Sequence, residues 1–60
     1  MNIREFKNRT RIVIGAIRNG VVLHLRVVTD DKGSLYLVEQ NDVMTPFLTY
    51  NEAFNHMAGV

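Results

Sequence analysis

The stretch RIVIGAIRNGVVLHLRVV, residues 11 to 28, decides how this chain folds. Two runs rich in β-branched residues, Arg11–Arg18 and Val21–Val28, flank the dipeptide Asn19-Gly20. A two-residue hairpin turn of type I′ needs positive φ at both central residues, and Asn followed by Gly tolerates this best. The turn also sets the register. Arg18 should face Val21, Ile17 Val22, Ala16 Leu23, Gly15 His24, Ile14 Leu25 and Val13 Arg26. Directly paired residues share a face, and faces alternate along each strand. One face is then expected to carry Ile12, Ile14, Ala16, Leu23, Leu25 and Val27, all apolar, and to form the core. The outer face is expected to carry Arg11, Val13, Gly15, Ile17, Val22, His24, Arg26 and Val28. A solvated antiparallel face should alternate to polar residues, and this one does so only in part.

Downstream, Asp30-Asp31-Lys32-Gly33 reverses the chain a second time. A three-residue loop, Asp31-Lys32-Gly33 with Gly33 left-handed in a bulge, sets Leu35 and Leu37 on the core face and Tyr36 and Val38 on the outer face. A two-residue loop at Lys32-Gly33 exchanges those faces and pairs Arg26 with Glu39, but it forces Lys32 to positive φ, so the three-residue loop is preferred. Either way the outer face gains two apolar residues. Residues 41–48 form a connector: Asn41-Asp42 turns, and Pro46 keeps Thr45 out of a helix, leaving room for a fourth, edge strand. Thr49 opens the one clear helix, over residues 49–58. Thr49 with Glu52 forms a capping box, Leu48 is placed to staple onto Ala53, and Gly59 is expected as a left-handed cap. Tyr50, Ala53, Phe54 and Met57 share one helix face, which should pack on the apolar sheet face with Phe47 sealing an edge. Residues 1–9 form an N-terminal arm or a short helix, with Asn2 and Glu5 as capping partners and Ile3 and Phe6 on one side. The expected fold is α+β: one domain spanning residues 1–60, with an antiparallel meander of three strands (a fourth allowed) over residues 10–40 and a C-terminal helix on one face.

Sixty residues without cysteine bound what such a domain can be. A chain this short buries only about 60% of the surface its unfolded form exposes. Small domains usually add a disulfide, a metal or a second subunit. Disulfides and thiolate zinc sites are excluded, and two histidines make a poor structural metal site. Association remains, and the half-apolar outer face is the place for it. No apolar run reaches the roughly 18 residues that span a bilayer, and the first residues hold no signal-like apolar segment, which points to a cytoplasmic protein without membrane partners. The net charge of +1 is unevenly spread: Arg4, Lys7, Arg9, Arg11, Arg18 and Arg26 oppose Glu5 in the first half, whereas Asp30, Asp31, Glu39, Asp42 and Glu52 oppose Lys32 in the second. This asymmetry suits an anionic partner, or complementarity between copies. The simpler reading is that two halves lying side by side cancel.

Catalytic chemistry has little to work with. His24 is expected on the outer sheet face and His56 on the helix one turn from Glu52, so the core separates them and they share no site. Asp30-Asp31 read as turn formers, and Ser34 has no neighbouring base. There is no phosphate-binding glycine loop and no nucleophile elbow. A non-enzymatic chain without cofactors is expected.

Two functional readings remain. In the first, the chain is a small protein-binding module, a homodimer through Val13, Gly15, Ile17, Val22, His24, Val28, Tyr36 and Val38. It would act as a regulator or inhibitor, of the compact kind viral and plasmid genomes encode, by docking on a larger protein or nucleoprotein. Gly15 allows a partner to come close. The competing bland reading is that the N-terminal segment folds over this face through Ile3 and Phe6. In the second, it is a DNA-binding domain whose sheet enters the major groove, using Arg4, Lys7, Arg9, Arg11, Arg18 and Arg26, with Tyr36 stacking on a base. The β-β-β-α order, with Phe47-Leu48-Thr49-Tyr50-Asn51-Glu52-Ala53 leading into the helix, resembles the small three-strand-plus-helix domains of phage integrase arms. That resemblance implies DNA contact through the sheet, although such sheets usually bear more Lys and Arg than this one.

Overall fold

The computed structural model describes residues 7–59. Four strands form one antiparallel sheet in sequence order: β1 (Arg11–Arg18), β2 (Val21–Asp30), β3 (Gly33–Gln40) and β4 (Val43–Phe47). A helix, α1 (Tyr50–Ala58), follows and packs over β2, β3 and β4. The fold is α+β, and the optional fourth strand is present. Pro46 sits on it opposite Leu37, at the sheet edge where a missing N–H is tolerated.

Asn19 and Gly20 adopt φ of 52° and 79°, and the pairs from Arg18↔Val21 to Ile14↔Leu25 follow as the sequence predicts. The register then slips. A β-bulge between Ile12 and Ile14 leaves Ile12 facing Arg26 and Arg11 facing Val27. One extra residue exchanges the faces of everything before it. Ile12, expected in the core, therefore stands on the outer face, and Arg11, expected outside, stands on the helix side.

The second turn differs from both expected geometries. Asp30 pairs with Gly33, so the loop is Asp31-Lys32. The Asp30 carboxylate accepts a hydrogen bond from the Lys32 backbone N–H at 2.8 Å, and positive φ falls on Gly33 (130°), the first residue of β3. An aspartate that bonds its own backbone two residues on makes a turn without help from glycine. Lys32 thus escapes positive φ, as the sequence requires. The slip moves Tyr36 and Val38 to the helix face and puts Leu35 and Leu37 on the outer one, correcting the expected assignment. A third turn, Asn41-Asp42, has φ of 51° and 65° and returns the chain as β4.

The core lies between sheet and helix. Leu23, Leu25, Val38, Ala53 and Met57 are buried there, with Ile14, Ala16, Val21, Tyr36 and Phe47 packed around them. Thr49 caps α1, its hydroxyl oxygen accepting from the Glu52 N–H at 3.2 Å and donating to the Glu52 carboxylate at 3.0 Å. Two local expectations are corrected. Leu48 is 78% exposed instead of tucked against Ala53 as a staple would be, and Gly59 takes φ −90° rather than a left-handed cap. Its N–H reaches the Asn55 and His56 carbonyls, which any residue would allow. His56 lies against the Phe47 ring at 5.1 Å between centroids.

Leu25 is fully buried in the centre of this small core. Leu25→Ala should cost about 2–5 kcal/mol, and a domain of this size has little more than that in total. Urea denaturation should show the variant largely unfolded at 25 °C, whereas Thr49→Ala should lower stability by about 0.5–2 kcal/mol and keep the fold.

Candidate interaction surface

The outer face of the sheet has two unlike halves. The half over β2 and β3 is crossed by residues 7–10. Lys7 and Asn8 are helical, and Thr10 closes that turn by bonding the Lys7 carbonyl through its N–H (3.0 Å) and its hydroxyl (2.8 Å). The N-terminal segment thus does reach over the outer face in its described part; Arg4 and the expected contacts of Ile3 and Phe6 lie outside the described residues.

Glu39 holds that segment down. Its residue surface is 7% exposed, yet the carboxylate is fully engaged. Lys7 Nζ pairs with one oxygen, Arg26 Nε donates to the other at 2.8 Å, and His24 Nδ1 stands 3.4 Å away. Lys7 also reaches Asp42 at 2.9 Å, and Arg26 donates a second bond to the Thr10 hydroxyl at 3.0 Å. The bulge in β1 makes this last contact: without the extra residue Thr10 would sit on the helix face. Burial alone would raise the Glu39 pKa, but the hydrogen bonds from Lys7 and Arg26 and their charges outweigh it and bring it from 4.5 to about 2. Bonding to Glu39, then to Asp42, raises the Lys7 pKa. Acidic and basic residues from opposite halves of the chain thus meet here, and the charge asymmetry cancels locally.

The other half, at the first hairpin, is crossed by none of the described residues. Ile17 is 74% exposed and its cross-strand partner Val22 53%, with Ile12 (48%) and Val13 (43%) at the bulge on the same strand. Gly15 and His24 pair between these groups, and a Cβ on Gly15 would meet only the His24 ring at an ordinary 3.7 Å. Apolar surface continues around the β1 edge to the helix side, where Ile14, Ala16, Arg18, Phe54, Met57 and Ala58 line an open groove of about 150 Å³.

Of the residues expected at a partner surface, Gly15, Ile17, Val22, His24 and Val28 stand on the outer face and Val13 at the bulge. Tyr36 and Val38 do not: both face the helix. Ile12, missed because the apolar run Ile12-Val13-Ile14 gives no hint of a bulge, joins them. Among the described residues the cations of the DNA reading are not gathered. Lys7 and Arg26 are taken up by Glu39, Arg11 and Arg18 stand on the helix side, and Arg9 borders a wide groove beside Thr29 and Ser34. Among the described residues no group of three or more His, Cys, Asp or Glu is placed to hold a metal, and no helix is long and apolar enough to cross a membrane. No family model matches the chain, and no curated protein or solved structure shows significant similarity to it.

The Glu39 cluster makes stability depend on pH. In the unfolded chain Glu39 titrates near 4.5 and in the folded chain near 2, so between these values the unfolded state binds more protons. Stability should therefore be lost as pH falls from about 5 to about 2. Glu39→Gln should be less stable at pH 7 and show a shallower loss in that window, read from urea midpoints across the pH series.

Proposed function

We propose that this chain is a small, non-enzymatic protein-binding module that self-associates and acts as a regulator by docking on a larger macromolecule. The observation that carries this reading is the bare patch of Ile12, Val13, Ile17 and Val22 beside an open sheet edge. Contiguous exposed apolar surface on a small domain marks interaction sites. The chain also buries few side chains of its own, so burying this patch against a partner adds what a short sequence lacks. The covered half of the same face sharpens the point. Charged groups and the crossing segment shield the sheet around Glu39, while the surface at the first hairpin is left greasy. The DNA reading has no such support among the described residues, because the Arg and Lys side chains it needs there are dispersed or neutralised.

Sedimentation equilibrium tests the proposal. The weight-average mass of the wild-type chain should rise with concentration above that of one chain. Ile17→Lys and Val22→Lys should stay folded by far-UV circular dichroism and remain at the mass of a single chain. Wild-type and variant masses that coincide at every concentration would remove self-association from the reading.

A further inference from the structure

We infer that two copies of this chain pair edge to edge through β1, antiparallel about a twofold axis at Ala16, joining their sheets into one of eight strands. The inference rests on the self-association proposed above and places its contact along the β1 edge, where Ile17 of one copy lies opposite Gly15 of the other, instead of on the outer face. β1 ends the sheet, and among the described residues nothing pairs with its outer edge. The opposite edge is unlike it: β4 has five residues and carries Pro46. Arg11, the bulge and Arg18 lie at the ends of β1, and the stretch between, residues 14–17, carries neither proline nor charge and is a template for another strand.

The hairpin tells which groups are available. In a two-residue turn the flanking pair Arg18↔Val21 exchanges both backbone hydrogen bonds, and bonded and non-bonded pairs then alternate. Ala16↔Leu23 and Ile14↔Leu25 are therefore bonded pairs. Gly15 and Ile17 are left with N–H and C=O groups that point away from β2. A second β1 centred on Ala16 places Gly15 opposite Ile17 in both directions, so these outward groups satisfy one another. It places Ala16 opposite Ala16 and Ile14 opposite Arg18. Faces match at every position, and the register stays clear of the bulge at Val13. A register centred on the middle of the strand would set Arg11 against Arg18 and oppose like charges.

A second copy fits better than an arbitrary strand for three reasons. The register is its own complement. The helix packs over β2, β3 and β4, which leaves the space above β1 open for a neighbour. Pro46 blunts the far edge, so the assembly closes at two copies instead of running on. Area sets the strength. The paired stretch, residues 14–18, is about 17 Å long at roughly 3.4 Å per residue, and the molecule is 15 Å thick. That gives about 250 Å² per partner, roughly a third of a standard interface, which describes a weak dimer that exchanges freely.

Cross-linking reads the geometry directly, because the chain contains no cysteine. Ala16→Cys places two thiols on a non-bonded pair across the axis, with Cβ atoms about 4.5–5.5 Å apart, close to disulfide geometry. Under mild oxidation this variant should form covalent dimer at least about tenfold faster than Val43→Cys, an exposed control on the other edge. An equimolar mixture of Ile14→Cys and Arg18→Cys tests the same register without altering Ala16, and should give mixed dimer in preference to either homodimer. Concentration-dependent mass with no preferential link at these positions would overturn edge pairing and leave the outer patch as the contact. Single-chain mass together with no preferential link would overturn self-association itself.

Discussion

Parity is the constraint on which this molecule depends. Strand side chains repeat every two residues, so a slip of one position moves a whole strand segment from the core to solvent. Three two-residue turns set that parity, at Asn19-Gly20, Asp31-Lys32 and Asn41-Asp42. Asn19 and Gly20 line Leu23 and Leu25 up under Ala53 and Met57. The Asp30 carboxylate then brings Val38 and Tyr36 to the same side. One further slip, the bulge near Val13, is confined to the start of β1. It carries Thr10 to the outer face, where Arg26 meets it.

The outer face follows from the same rule. Register puts Arg26, His24 and Glu39 on that side, with Arg26 diagonal to Glu39 rather than opposite it. A carboxylate buried there alone would be costly, since desolvation of a charge outweighs any single weak contact. Two cations donating directly to it reverse the sign, which is why its pKa lies at about 2 and not above 4.5. Buried ion clusters add little net stability, because the attraction mainly offsets desolvation. Their stronger effect is positional. Lys7 has one place to go, between Glu39 and Asp42, and residues 7–10 are laid across the sheet accordingly.

How much of this was legible in the residues depends on how local the deciding interaction is. The first hairpin was legible because Asn19-Gly20 is a backbone requirement carried by two adjacent residues. The helix cap was legible for the same reason, through Thr49 and Glu52. The second turn is harder to place because Gly33 invites assignment to the loop, whereas an aspartate side chain closes the turn one step earlier. That single residue decides which face Tyr36 and Val38 take. The bulge was not legible: in Ile12-Val13-Ile14 no polar residue marks which side chain faces water. The Glu39 cluster depends on both slips and on a segment thirty residues away in sequence, so no local pattern announces it. The outward position of Ile17 and Val22 is legible, since they lie within the stretch whose register the first turn controls.

The two halves of the outer face then differ for a physical reason. Covering a sheet face with a short segment requires fixing that segment, and fixing it costs conformational entropy of about 1–2 kcal/mol per residue. Around Glu39 the ion cluster offsets that cost, so residues 7–10 stay on the sheet. At the first hairpin the cross-strand pair is Ile17 and Val22, and Gly15 and Val13 beside them offer neither charge nor a side-chain hydrogen bond to tether a segment. An apolar surface without a polar anchor is better covered by another preformed surface than by a loose stretch of the same chain, because the partner has already been ordered by its own folding. The half that is charged has the means to hold its own lid, and the half that is not offers no anchor for one among the described residues.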